Sequence, residues 1–236
     1  KALVFGYNFD SVEIYSYAIA LSLLVVSFLS PLLSGIADFI GNKKVFMKSF
    51  NYVGATSCVG LFLWKELPIE LGLLFCVTAN IGFWGSLVFY NAYLPEIAHP
   101  KNHDLISAKG FSRGYFGSAI LLVFCLFSIM VLDWSPKYSF LFAGIWWIGF
   151  AQITYKYLPV KSTKITLTDR RVLIHGYREL SNVWVEFSTI KRLKRYLLSF
   201  FVFSMALQTI MTMAQFFGTE AVDWSIGLDF SSLPEM

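Results

Sequence analysis

Long apolar runs separated by short polar segments dominate the pattern of this 236-residue chain. Each of six runs has about 20 residues with no charge near its middle, which is the length that a helix needs to cross a bilayer. Charged side chains within the runs lie near the ends, where they can reach the lipid headgroups. The pattern therefore predicts an all-α, multi-pass membrane protein. The six predicted spans are residues 12–37, 45–64, 69–95, 111–132, 138–158 and 196–218.

Composition narrows the class of function. Hydrophobic residues make up 56% of the chain and charged residues 14%, whereas a soluble domain averages about 25% charged residues. The three cysteines lie singly in apolar runs without metal-ligand spacing, and the three histidines all lie between predicted spans. We therefore expect no enzymatic activity, metal, cofactor or nucleic-acid partner. The expected partners are the lipid bilayer and a small-molecule solute, and the sequence leaves the oligomeric state open.

The distribution of basic residues predicts the orientation. Connections 38–44, 96–110 and 159–195, with the adjoining span ends, hold 16 of the 19 lysines and arginines. By the positive-inside rule these connections are cytoplasmic. The segment 219–236 has four acidic residues and no lysine or arginine, so we expect it on the other side. This orientation also places residues 1–10 outside, which predicts a further span upstream of residue 1.

Single-cysteine labelling on a cysteine-free background tests this orientation. With an impermeant reagent on intact cells, we expect a cysteine at Ser231 to be labelled and one at Ser162 to be protected, because the two lie on opposite sides of the membrane. Labelling at Ser162 without labelling at Ser231 would reverse the assignment.

The connection 159–195 is the longest between predicted spans. Alternating residues at 164–174 predict a small hairpin, and a helical stripe from Tyr177 onward predicts an interfacial amphipathic helix. We favour a positively charged linker that keeps the last span in register over a regulatory role. The predicted organisation is an N-terminal bundle without its first span (1–158), this cytoplasmic linker (159–195), the first span of a C-terminal bundle (196–218) and an extracytoplasmic tail (219–236).

The segment between the first two spans carries a recognisable loop pattern. Gly41 provides the permissive backbone of a tight turn, and Asp38 at the preceding helix end can accept hydrogen bonds from a neighbouring helix. The segment resembles the loop signature of the major facilitator superfamily, Gly-x-Leu-Ala-Asp-Arg-x-Gly-Arg-Lys. The matching positions are Ile36, Ala37, Asp38, Gly41 and Lys43, and the departures are Ser34, Phe39 and Asn42.

Residues 88–98 and 110–117, with Ser30-Pro31-Leu32, show a closer resemblance. They are similar to the branch that includes the autophagy-related vacuolar amino-acid effluxers and their bacterial relatives. The resemblance implies spans two to seven of a twelve-helix fold in the plasma or vacuolar membrane. It also implies a secondary transporter of a small solute, with neutral amino acids as the suggested class. The alternative is a non-transporting interaction or regulatory protein derived from a transporter.

Two further groups of residues follow from these motifs. The candidate gating residues are Asp38, Gly41, Lys43, Glu96 and Arg113. Pro95 leaves Glu96 beside an irregular turn, where a gating role and an ordinary interfacial acid remain equal alternatives. Gly110, Gly114 and Gly117 lie on one helical face, which favours close helix packing over contact with a substrate.

The last predicted span carries a polar stripe. Ser204, Gln208, Thr212 and Gln215 recur at helical spacing, and glutamine amides are costly to expose to lipid. We favour a role for this stripe in the wall of a central cavity over a role in hydrogen bonding between helices, because the corresponding span of the superfamily borders the cavity. Asn80 and Trp84 are weaker candidates. The predicted substrate-binding residues are therefore Gln208, Thr212, Gln215, Asn80 and Trp84.

Overall fold

The computed structural model describes most of the chain, and its contacts divide the chain into two units, Lys1–Ser181 and Asn182–Met236. Each unit is considered by itself. The described residues are 2–4, 7–159, 181, 185 and 189–220, without the side chains of 2–4, 7–9, 11, 38, 39, 215, 216, 219 and 220. The predicted hairpin at 164–174 and the tail beyond 220 lie outside the described residues, as does most of the predicted interfacial helix.

The described part of the chain is almost entirely helical, which confirms the all-α prediction. A short antiparallel hairpin, which the sequence pattern did not predict, pairs Ala2 with Phe9. Two 3-10 turns, Leu61–Leu63 and Pro100–Asn102, join helices. The elements are β1 (Ala2–Val4), β2 (Tyr7–Phe9), α1 (Ser11–Ile40), α2 (Lys43–Gly60), α3 (Ile69–Asn91), α4 (Leu94–Ile97), α5 (His103–Met130), α6 (Tyr138–Tyr157) and, in the second unit, α7 (Lys191–Glu220).

Each predicted span coincides with one long helix. Four segments are long and apolar enough to cross a membrane by length and composition: Val12–Ala37, Ile69–Ile97, Pro100–Met130 and Lys191–Ala214. Helix α2 is less apolar because of its three lysines, and α6 is rich in Trp and Tyr. Helices α5 and α7 begin before the predicted spans. At the start of α7 the added residues are mostly Lys and Arg, which are good helix formers whose long side chains reach the headgroups.

Helices α2 and α3 cross with almost no side chain between them. A Cβ added at Gly82 would collide with the backbone of Gly54 and with the carbonyl oxygen of Phe50. A Cβ added at Gly54 would lie 2.5 Å from the ring of Trp147 on α6. Small residues at such a crossing let two membrane helices approach closely and gain van der Waals contact. The centre of the first unit is therefore an α2–α3 pair covered by α6.

Several helix ends pack around a buried apolar cluster at the predicted cytoplasmic end of the first unit. Phe89 is almost fully buried, and its ring stacks on Phe46 at 5.5 Å and on Phe50 at 6.0 Å between centroids. Met47 and Tyr155 belong to the same cluster. Burial of these rings fixes the end of α3 against the start of α2. The polar residues of the adjoining turns are thereby held near one another.

Large apolar side chains remain exposed along the long helices, as expected for surfaces that face lipid. Phe28 on α1 is 74% exposed and Phe116 on α5 is 71% exposed. In water such a surface would be unusually apolar. In the second unit, the described side chains of α7 are also mostly exposed.

Candidate functional site

A two-residue connection joins α1 to α2. Gly41 has a φ of 70°, in the left-handed region that glycine adopts without steric cost. Asn42 completes the turn, so that Lys43 and Lys44 occupy the first two positions of α2. The backbone of Asp38 belongs to the last turn of α1, and its side chain lies outside the described part of the structure.

Lys43 forms an ion pair with Glu96, which is 53 positions away in sequence. The single-turn helix α4, with Pro95 in its first turn, positions Glu96 just beyond the end of α3. The Lys43 Nζ lies 2.9 Å from Glu96 Oε1, and the two side chains are 19% and 17% exposed. Because water reaches this pair poorly, its attraction is less screened than that of a surface ion pair. The structure thus brings together two of the five predicted gating residues.

The neighbouring Lys44 anchors another helix end. Its Nζ donates a hydrogen bond of 2.9 Å to the carbonyl oxygen of Leu158, the residue after α6. A cation at a helix C-terminus satisfies a carbonyl that has no partner within the helix. We refer to Lys43, Lys44, Glu96 and the Leu158 carbonyl as the clasp. The sequence analysis missed Lys44, and two consecutive lysines after a turn were the signal that could have drawn attention to it.

The fifth gating candidate, Arg113, lies elsewhere. It is exposed on α5, on the wall of a cavity of about 600 Å³ bounded by α2, α3, α5 and α6. The structure therefore places Arg113 beside this cavity and not in the clasp.

The glycines of α5 face this cavity and an adjoining one. A Cβ added at Gly110 would lie 3.5 Å from the Tyr90 hydroxyl oxygen, whereas at Gly114 or Gly117 it would meet nothing within 4 Å in the described part of the chain. Within the first unit, α5 contacts mainly α6 and the short segments before it, so the close packing expected at Gly114 and Gly117 stays a prediction.

The predicted substrate-binding residues lie on two helices. On α3, the Asn80 Nδ2 donates to the carbonyl oxygen of Cys76 at 2.9 Å, and the Trp84 ring meets the edge of Phe83 at 5.3 Å between centroids. On α7, Gln208 is exposed, and the Thr212 hydroxyl donates to the Gln208 carbonyl oxygen at 2.8 Å. The side chain of Gln215 lies outside the described residues.

Comparison with known proteins identifies the family. Residues 2–228 match the family model described as "Vacuole effluxer Atg22 like". The chain is 28% identical over 233 residues to the "Uncharacterized MFS-type transporter YxiO" of Bacillus subtilis, covering 95% of this chain and 53% of that protein. It is 22% identical over 225 residues to "Autophagy-related protein 22-2" of Aspergillus oryzae (66% of this chain, 37% of that protein). "Autophagy-related protein 22" of Pichia angusta is 21% identical over 268 residues, covering 91% of this chain and 48% of that protein.

The chain spans about half the length or less of these curated relatives. No solved structure matches it significantly. The family match, together with the long apolar helices, makes it a multi-pass integral membrane protein of the plasma or vacuolar membrane. The resemblance seen in the sequence motifs is confirmed: the chain belongs to the Atg22-like vacuole effluxer family, a branch of the major facilitator superfamily.

Proposed function

We propose that the protein containing these residues is a secondary transporter that moves a small solute across the membrane by alternating access. Neutral amino acids are the proposed substrate class. The observation that carries the proposal is the Lys43–Glu96 ion pair, which joins two chain segments at one end of the bundle in a member of an effluxer family. Residues 1–158 are the proposed N-terminal bundle, 159–195 the linker, 196–218 the first span of the second bundle and 219–236 the extracytoplasmic tail.

Alternating access requires contacts that differ between the inward-open and outward-open states. A hydrogen bond between charged groups contributes about 1.5–3 kcal/mol, and a difference of 1.4 kcal/mol changes a population tenfold. In this proposal the Lys43–Glu96 pair forms in only one of the two states, and its free energy is then sufficient to bias their populations. In this proposal Gly41 sets the geometry of the turn, and Asp38 in the last turn of α1 is a further gating residue.

The stripe on α7 is the proposed wall of the solute pathway. Gln208 and Gln215 each offer two amide donors and one carbonyl acceptor, and Thr212 adds a hydroxyl. Such groups can bind both the carboxylate and the ammonium of an amino acid without introducing a net charge. Asn80 and Trp84 are secondary candidates on α3, whereas Arg113 at the cavity beside α5 stays a proposed gating residue.

Solute counterflow into proteoliposomes containing the full-length protein tests the function. Liposomes preloaded with a neutral amino acid should accumulate the labelled form faster than protein-free liposomes. If correctly folded protein moves none of the neutral amino acids tested, this substrate class is wrong. If it moves no small solute at all, the alternative of a non-transporting interaction protein replaces the proposal.

Replacing Gln208 by Leu tests the proposed pathway wall. The change keeps similar bulk but removes the amide, so we expect counterflow to fall about tenfold, the effect of losing roughly one hydrogen bond in the transport cycle. Protein abundance should be unchanged. Thr209→Val is the matched control on the same helix, because the Thr209 hydroxyl bonds its own helix at the Met205 carbonyl oxygen, 2.9 Å away. Normal flux in Gln208→Leu, or equal loss in both variants, would exclude Gln208 from the pathway.

A further inference from the structure

Side-chain contacts link α2 to α6 along one line. The Tyr52 hydroxyl donates to Gln152 Oε1 at 3.2 Å. One turn nearer the start of α2, Lys48 Nζ lies 5.0 Å from the centroid of the Tyr155 ring, and the Lys44 contact of the clasp follows at the end of α6. A step toward the start of α2 therefore corresponds to a step toward the end of α6, so the two helices are antiparallel and matched turn for turn.

This register places two lysines level with each other. Lys48 lies four positions before Tyr52 on α2, and Lys156 lies four positions after Gln152 on α6. Residues four apart share one face of a helix. Since Tyr52 and Gln152 are hydrogen-bonded, both lysines lie one turn from that bond, toward the end of the bundle that is predicted to be cytoplasmic. We call Lys48, Tyr52, Gln152 and Lys156 the α2–α6 seam.

The seam is separate from the cavities beside α5. None of its four residues lines either of those cavities. Its neighbours Val53 on α2 and Ile153 on α6 are 49% and 55% exposed, and exposed apolar side chains of this kind are typical of a surface that faces lipid. The two lysines therefore lie where a lipid-facing surface reaches the headgroup region.

The charge of the seam is not balanced by a described acid. Lys156 is exposed and Lys48 is half-buried, and neither forms an ion pair within the described part of the chain, where Lys43 and Lys137 do. A cation at the edge of the hydrocarbon region is costly without a counterion. Basic pockets between helices at the cytoplasmic side of a membrane bind anionic headgroups. A phosphate between the two ammonium groups would neutralise both.

We propose that the α2–α6 seam binds one anionic phospholipid from the leaflet at this end, with the lipid phosphate between Lys48 and Lys156. A zwitterionic lipid fits less well, because its own cation would lie beside the two lysines. Gln152 Nε2 donates one hydrogen to the Ile148 carbonyl oxygen, which leaves its second amide hydrogen for an ester carbonyl just below the phosphate. This inference concerns lipid recognition and does not depend on the transported solute.

Native mass spectrometry of the full-length protein in mild detergent tests the site. The probes are phosphatidylglycerol and phosphatidylcholine with identical acyl chains. Because each lysine near the headgroups contributes about fivefold in affinity, Lys48→Gln with Lys156→Gln should weaken phosphatidylglycerol binding at least about tenfold and leave phosphatidylcholine binding unchanged. The matched control is Lys101→Gln with Lys109→Gln, which removes the same charge at the same end from exposed positions outside the seam. It should change the affinity less than about twofold, since neither lysine touches the proposed phosphate.

Two further variants separate lipid binding from folding. Lys48→Arg with Lys156→Arg keeps both charges and should keep the preference for phosphatidylglycerol. Lys156→Gln alone changes one exposed residue and should weaken binding about fivefold at an unchanged melting temperature.

Three results would overturn the proposal. The first is equal binding of the two lipids by the wild type, as expected if another part of the protein covers the seam. The second is equal loss in the seam variant and the matched control, which would indicate a general effect of charge. The third is displacement of the lipid by soluble glycerol phosphate at the same concentration, which would indicate a site for a free anion. None of these measurements involves solute flux, so each result leaves the transport proposal intact.

Discussion

Gly82→Ala is expected to lower the recovery of folded full-length protein several-fold. The added Cβ would collide with the backbone of Gly54 and the carbonyl oxygen of Phe50, and backbone atoms in two packed helices cannot move aside as a flexible side chain can. Overpacking of this kind costs about 1–3 kcal/mol. A cost of about 3 kcal/mol lowers the ratio of folded to unfolded protein more than a hundredfold. The measurements are the monodisperse fraction after detergent extraction and the melting temperature of what remains.

Gly72→Ala is the control for this change on the same helix. A Cβ at Gly72 meets nothing within 4 Å in the described part of the chain. Because alanine favours a helix over glycine by about 1 kcal/mol, the melting temperature of Gly72→Ala should equal or exceed that of the wild type. If Gly82→Ala behaves in the same way, the close crossing does not hold α2 and α3 together.

Reversing the charge at Glu96 is expected to abolish most transport. Glu96→Lys replaces the carboxylate that now lies 2.9 Å from Lys43 Nζ with a second ammonium group, at a site where less than one-fifth of either side chain is exposed. Loss of the pair, with like-charge repulsion in its place, costs about 2–3 kcal/mol, so counterflow should fall at least tenfold. The exchanged pair Lys43→Glu with Glu96→Lys should recover much of the flux. Cysteine accessibility at the cytoplasmic face should show whether the conformational balance has shifted.

The ion pair at the opposite end of the bundle provides a control. Lys137 Nζ lies 3.1 Å from Glu66 Oε1, but the Glu66 side chain is 61% exposed. Exposed pairs contribute about 0–1 kcal/mol, so Glu66→Lys should change flux less than twofold. If Glu66→Lys lowers flux as much as Glu96→Lys does, the effect is not specific to the Lys43–Glu96 ion pair. The same conclusion holds if the exchanged pair does not recover flux.

The sequence predicted the helices well because the signal for a membrane span is local and strong. About 20 apolar residues must be consecutive to cross a bilayer, and each predicted span coincides with one helix. The predicted ends of the spans were less accurate. Residues 191–195 form the first turn of α7 instead of the end of the linker, because basic residues are compatible with both a helix and the headgroup region.

The candidate site was only partly predictable, since its contacts join distant positions. Lys43 and Glu96 were each identified as gating candidates, but their pairing depends on how α4 turns back toward α2. The partner of Lys44 is a backbone carbonyl at Leu158, and carbonyl groups carry no sequence signal. The glycines show the same limit: small residues occur on α2, α3 and α5, and only the rotation of each helix determines which of them face a neighbour.

The Gly54–Gly82 crossing also bears on the order in which the protein assembles during synthesis. It joins helices that are consecutive in the chain and linked by a short connection, residues 61–68. Closing a short loop carries little entropic cost, and contacts between near neighbours in sequence form early. The α2–α3 hairpin can therefore form as soon as residue 91 has entered the bilayer. The parts of the bundle inserted later would then pack against an already rigid pair.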